Sequence, residues 1–240
     1  MPNSEKMNIF KIQKNERSDP MSIKVEVWGD YALFSRPEMK VERVSYDVIT
    51  PSAARGILDS IFYHPGMRWY IDKIHVCSPI RFTNIRRNEV EKKISLNNVL
   101  QFLNGQNKEM YIATSKCIQQ RGSMVLTNVR YVIEAHFDMT DKANPSDNPG
   151  KFQEMMRRRL EKGQSYHQPC LGVREFPANC KLCEEIPPCP EELLGERDLG
   201  WMLLDLDYRD PKDIKPMFFR AVMKDGIIEV PPLNSQGVVK

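Results

Sequence analysis

The sequence has little of what metal- or nucleotide-dependent enzymes carry. Its four histidines, His64, His75, His136 and His167, stand singly, and no His-Glu-x-x-His, glycine-rich phosphate loop or nucleophile elbow occurs. A metallohydrolase is therefore disfavoured. No run of eighteen apolar residues exists that could form a membrane-spanning helix. The first twenty residues lack both the apolar segment and the small-residue cleavage site of a signal peptide, so a cytoplasmic protein is expected. They are polar throughout, and residues 1–20 read as a frayed extension. Internal repeats and low-complexity runs are missing as well.

Six cysteines in a chain without secretory features read as free thiols more readily than as disulfides. Cys170, Cys180, Cys183 and Cys189 fall close together, and a Cys-x2-Cys pair with two further thiolates is one way to hold zinc. Their intervals fit no zinc ribbon, and no metal or other cofactor is expected.

What is present is the composition of a soluble globular protein, with 41% apolar and 28% charged residues in 240. The formal charge is only +3, but it is unevenly spread. Arg36 to Arg130 holds 15 Lys and Arg against 8 Asp and Glu, whereas from Asp141 onward 15 basic residues meet 17 acidic ones. A positive first half is the footprint of a polyanion-binding face, although a merely solvated surface gives the same count.

"IKVEVW" at Ile23 to Trp28 alternates apolar and polar residues as a strand does. Thr50 and Pro51 then open a helix with Ala54, Ile57, Leu58, Ile61 and Phe62 on one face, ended by "HPG". "MRWYIDKIHVCSPI" and "RYVIEAHFDM" read as further strands. Between them lies a polar insert, Arg81 to Leu126, with Arg86, Arg87, Lys92, Lys93, Lys108, Lys116 and Arg121. This order predicts an α+β fold whose first part, residues 21–149, is ferredoxin-like or RRM-like. "DKANPSDNPG" marks a boundary. Residues 150–240 are expected to form a helix, with Phe152, Met155, Met156 and Leu160 inward and Arg157 to Arg159 outward, followed by a small antiparallel β-sheet domain. A tight hairpin at Asp225-Gly226 is predicted there.

The segment "RPEMKVERVSYDV" gathers Arg36, Lys40, Arg43 and Tyr46. Metal-free RNA cleavage needs a base to free the 2′-OH, cations to hold the phosphorane and an acid for the leaving 5′ oxygen. Tyrosine is a poor base at its ordinary pKa near 10, and three neighbouring cations would favour the phenolate. The same segment also reads as a tyrosine packed at a strand edge with its cations in water.

"WGDYALFSRPEMKVERVSYDVITPSAARGILDSIFYHP", "IRRNEV", "NVRYVIEAHF", "KFQEMMRRRLEKGQSYHQPCLGVREFPA" and "RDLGWMLLDLDY" together resemble the CRISPR-associated proteins of Cas family five, subtype I-C branch, from about Ile23 to Val230. The resemblance implies an RRM-like domain followed by a small β domain. It also implies a metal-independent endoribonuclease that cuts CRISPR repeat hairpins by 2′-OH attack and leaves a 2′,3′-cyclic phosphate. The protein would then stay on the crRNA 5′ handle within the Cascade complex, beside subunits of Cas families 7 and 8. The alternative is a handle-binding subunit without nuclease activity. The family's catalytic tyrosine matches Tyr46. Its partner is often a Lys-His pair, for which this sequence offers Lys116 and Arg121, with Gln120 as a neighbour. Arg36, Lys40, Arg43, Arg55, Arg86 and Arg87 lie in the matched segments or the positive half and are expected to contact phosphate.

Overall fold

The computed structural model describes residues 22–39, 41–106, 110–208, 210 and 212–240. The extension expected over residues 1–20, and Lys40 of the basic loop, lie outside the described residues.

Alternation in the first strand is reproduced directly. β1 (Ile23–Ala32) buries Ile23, Val25 and Val27 on one face. Helix α1 (Pro51–Ile61) begins where predicted, because the Thr50 side chain accepts a hydrogen bond from the Ala53 amide and Pro51 has no N–H to lose. Its buried stripe is Ala54, Ile57, Leu58 and Ile61. β3 (Met67–Val76) follows, with Trp69, Ile71 and Ile74 inward, and the Trp69 ring meets Phe137 edge to face at 5.2 Å. β1 and β3 both pair antiparallel with β5 (Ile118–Met139), one on each side of it. They thus run parallel to each other around a central strand, with α1 crossing between them.

The insert from Arg81 to Leu126 is more regular than its polarity suggests. It contains β4 (Phe82–Val90), α2 (Leu96–Leu103) and the start of β5. β4 zips onto that start from Phe82 opposite Leu126 to Val90 opposite Ile118. On the other edge of the same stretch the two-residue strand β2 (Arg43–Val44) runs parallel, with Arg43 opposite Ser123. β5 is thus one 22-residue strand with two environments. Asn128, with φ 51°, sits near the change from one to the other.

After the connector, Asn148 and Pro149 start α3 (Pro149–Glu161), which buries Phe152, Met156 and Leu160. Arg159 does not point outward with its two neighbours. Its guanidinium turns back over the Phe62 ring, 5.1 Å away, and donates to the Ile61 carbonyl at the end of α1, whose terminal carbonyls lack helical partners. β6 (Asn179–Leu182) then adds to β1. β7 (Glu196–Asp207), β8 (Lys215–Lys224) and β9 (Ile227–Glu229) form antiparallel pairs, and a short β10 (Val238–Val239) edges β8. The predicted hairpin joins β8 to β9, with positive φ at both Asp225 and Gly226. β9 also pairs with β3, so strands from both sides of residue 150 share one hydrogen-bonded sheet and one core. The architecture is a large, mainly antiparallel sheet with few helices. No described helix is long and apolar enough to cross a membrane.

Candidate nucleic-acid interface

The β2–β5–β4 ribbon explains which cations converge. Side chains alternate faces along a strand, so β4 places Arg87 and Glu89 on one face and Arg86 and Asn88 on the other. The partners of Arg87 and Glu89 across the ladder are Arg121 and Gln119, and Arg43 enters from β2 beside Ser123. Three arginines from three strands therefore gather on one face. Glu89 lies between two of them, its carboxylate 3.2 Å from Arg43 and 3.5 Å from Arg121. Arg87 donates to the buried Ser123 hydroxyl at 3.2 Å and to Glu175 at 2.8 Å. Arg121 also donates to the Gln119 side chain.

Arg36 and Tyr46 form an adjoining pair. The Arg36 guanidinium lies 4.6 Å from the centre of the Tyr46 ring and bonds Asp47 at 3.0 Å. Tyr46 itself is buried, 2% exposed. That placement reverses the electrostatic expectation. Burial pushes the phenol above its ordinary value, and Glu38 adds to the rise; Arg36 and the Leu203 backbone oppose it without prevailing. Arg43 spends its charge on Glu89 instead. Tyr46 is a proton donor at neutral pH, not a phenolate.

The other predicted residues fall in three places. Gln120 and Arg86 occupy the outer, exposed face of the ribbon, opposite Arg121 and Arg87. Lys116 is exposed in a single 3-10 turn (Thr114–Lys116) before β5 begins. From Ile118 to Ser123 the strand alone covers roughly 17 Å, so Lys116 stands at the ribbon's far end from Arg43. Arg55 does not join the cations at all. It ties α1 to β7, bonding Asp59 at 2.8 Å and Asp205 at 2.9 Å, beside a cavity of about 520 Å³ that Arg68, Tyr70 and His136 also line. Its helix faces the core strands, and the carboxylates there claim it first.

Two acids were missed from sequence. Glu89 reads as an ordinary neighbour of "IRRN" until β4 is recognised as a strand, when it falls two residues from Arg87 on the same face. Glu175 lies 88 residues from Arg87 and carries no local signal. Among the described residues no three or more His, Cys, Asp or Glu side chains gather as a metal site. Cys180 packs on the core as an inert thiol, its pKa pushed up to about 12 by burial.

Three arginines from three strands thus meet on one face of the sheet, near a buried tyrosine. The family model for CRISPR-associated proteins (Cas_Cas5), in its Cas5d form, matches residues 22–231, and the chain belongs to that family. It is 51% identical over 221 residues to a Mannheimia succiniciproducens protein named CRISPR pre-crRNA endoribonuclease Cas5d, covering 90% of this chain and 97% of the relative. A Thermus thermophilus protein of the same name is 40% identical, with 87% and 91% covered. Among solved structures, a CRISPR-associated protein shares the fold with a TM-score of 0.64 at 23% identity, covering 91% of this chain and 96% of its own. A chain of a CRISPR RNA-guided surveillance complex does so with a TM-score of 0.50 at 11% identity, covering 87% and 90%.

Proposed function

We propose that the chain is a CRISPR pre-crRNA endoribonuclease that cuts repeat RNA without metal and then stays on the 5′ handle of its product within a Cascade assembly, beside subunits of Cas families 7 and 8. The supporting observation is the convergence of Arg43, Arg87 and Arg121 on one ribbon face, in a chain 51% identical to a pre-crRNA endoribonuclease across nearly that protein's whole length.

The chemistry follows from what each group can do. RNA supplies its own nucleophile in the 2′-OH, so the protein has to orient the phosphate and stabilise charge as it grows. The fixed guanidinium forks of Arg43, Arg87 and Arg121 suit the phosphorane oxygens, and Arg36 extends the cationic track along the backbone, while Arg86 lies on the opposite face of the ribbon. Tyr46, held protonated by burial, is assigned the donor role toward the leaving 5′ oxygen, whose bond to phosphorus breaks as that of the 2′ oxygen forms, and the 2′-OH proton passes to solvent water. Lys116 is assigned to the RNA as it passes the distal end of the ribbon, and Gln120, on the opposite face, is assigned no contact. In this reading residues 21–149 form the RRM-like catalytic part, and residues 150–240 form a second part that braces it.

The test is incubation in EDTA with a labelled repeat hairpin from the chain's own locus, beside a copy carrying a 2′-deoxy nucleotide at the cut. Cleavage of the first alone, with a 2′,3′-cyclic phosphate end, supports the reading. Tight binding with no cleavage of either leaves a handle-binding subunit.

A further inference from the structure

We infer that the two acids at the arginine cluster have opposite jobs: Glu89 positions Arg43 and Arg121 for an RNA phosphate, and Glu175 holds the phosphate's place at Arg87 until RNA displaces it. The inference rests on the ribbon being the RNA face.

Glu89 gives one carboxylate oxygen to each of two guanidiniums on different strands, Oε1 to Arg43 and Oε2 to Arg121. Without it two like charges would face each other and turn apart into water. With it, both guanidiniums share one acid while their side chains stay 35% and 31% exposed, Arg121 donating to Gln119 as well. Glu89 is the more enclosed partner of the three and lies within the ladder, so it cannot leave without the strand. It acts through the arginines and is a positioning residue.

Glu175 is differently held. It stands 58% exposed on the loop after Cys170, which is fastened close to β1. The Leu33 amide donates to Leu171, and Gly172 takes φ +89°, where a Cβ would lie 2.0 Å from the Leu33 carbonyl oxygen. Phe176 packs on Tyr31. The backbone of this loop is thus fixed, and only the Glu175 side chain is free to swing. Arg87 is anchored on its other side by buried Ser123, so its fork keeps its aim whether or not Glu175 is there. A single exposed carboxylate holds an arginine weakly, and a phosphate with more acceptor oxygens displaces it.

Simple electrostatics predicts that removing either negative charge tightens RNA binding. The geometry predicts opposite signs. The experiment measures the affinity and salt slope of the full chain for a repeat hairpin blocked by 2′-deoxy substitution across the cleavage region. Glu175→Gln is expected to bind about threefold tighter. Glu89→Gln is expected to bind about fivefold weaker, with a salt slope smaller by about one counterion. Glu89→Asp keeps the charge but shortens the reach, and is expected to weaken binding as well; it replaces Glu89→Gln if that variant melts early. Tighter or unchanged binding by both Glu89 variants, while Arg43→Ala and Arg121→Ala lose affinity, overturns the positioning role and leaves the RNA face standing. Unchanged binding by Arg43→Ala and Arg121→Ala removes the RNA face, and this inference with it. A Glu175→Gln variant that binds no tighter overturns the placeholder.

Discussion

Two places in this protein bring two arginines onto one carboxylate, and they do so to different ends. At Asp205, Arg55 from α1 and Arg68 from β3 each bond one oxygen at 2.9 Å, the Leu206 amide adds a third bond, and the acid is 6% exposed. At Glu89 the bonds to Arg43 and Arg121 are 3.2 and 3.5 Å and the acid is 26% exposed. The first acid is saturated and sealed, joining helix to sheet. The second keeps its arginines pointed at water with donors to spare. The same two-to-one ratio of arginines to carboxylate thus seals a joint between elements where the acid is buried, and leaves the guanidiniums at the surface where it is not.

The largest effect expected at either place is on stability. Asp205→Ala leaves Arg68 without its carboxylate and Arg55 with Asp59 alone, and is expected to cost about 3 kcal/mol, a fall in Tm on the order of 10 °C by thermal melting. The same replacement at Glu89 is expected to cost less than about 1 kcal/mol, because exposed pairs contribute little. A Tm loss at Glu89 matching that at Asp205 would erase the contrast.

Tyr46→Phe tests the site beside the open cluster. Cleavage per bound RNA is expected to fall by about 100-fold with binding retained, and a wild-type rate would remove the residue from the mechanism. The sign of its pKa shift adds a pH test. A phenol raised above 10 is protonated in both folded and unfolded chains at pH 7, and its contribution is lost only as pH climbs past the unfolded value. Single-turnover cleavage is therefore expected to show no loss of the acid between pH 7 and 9. A basic-limb inflection near 8 that vanishes in Tyr46→Phe would mean that the cations do govern this phenol.

Arg121→Ala is expected to weaken RNA binding by roughly fivefold and to lower the salt slope by about one, while Arg55→Ala lowers Tm and leaves the slope alone. Equal slope changes in the two variants would mean that both clusters meet RNA. Smallest of all, Gln120→Ala on the outer ribbon face is expected to shift affinity by less than about twofold. A larger loss in a filter-binding titration would put the RNA on that face instead.

The elements legible beforehand were those with a buried side. β1, α1, β3 and the second half of β5 show their periods because one face of each meets the core, and the Asp225-Gly226 turn shows because its backbone needs positive φ. β4 and the opening of β5, Ile118 to Gly122, read as a polar insert because both their faces touch water, which removes the alternation that betrays a strand. Tyr46 is legible from its motif, but its electrostatic setting is not. Proximity in sequence to Arg36 and Arg43 suggested a lowered pKa, whereas the fold turns the ring inward and gives Arg43 to Glu89.

The sequence by itself determined the family, the cationic first half, the order of strands and helices around the core, and the tyrosine at the end of the basic loop. These depend on residue identity and local spacing, which the chain carries in one dimension. Tertiary structure decided which cations converge at the surface. Arg43, Arg87 and Arg121 lie 34 to 78 residues apart and meet only because β2 and β4 flank one strand. Arg55 looked equally available and is not, because Asp205, 150 residues away, reaches it first. A charge is local, but its partner is chosen by packing, and no spacing along the chain records that choice.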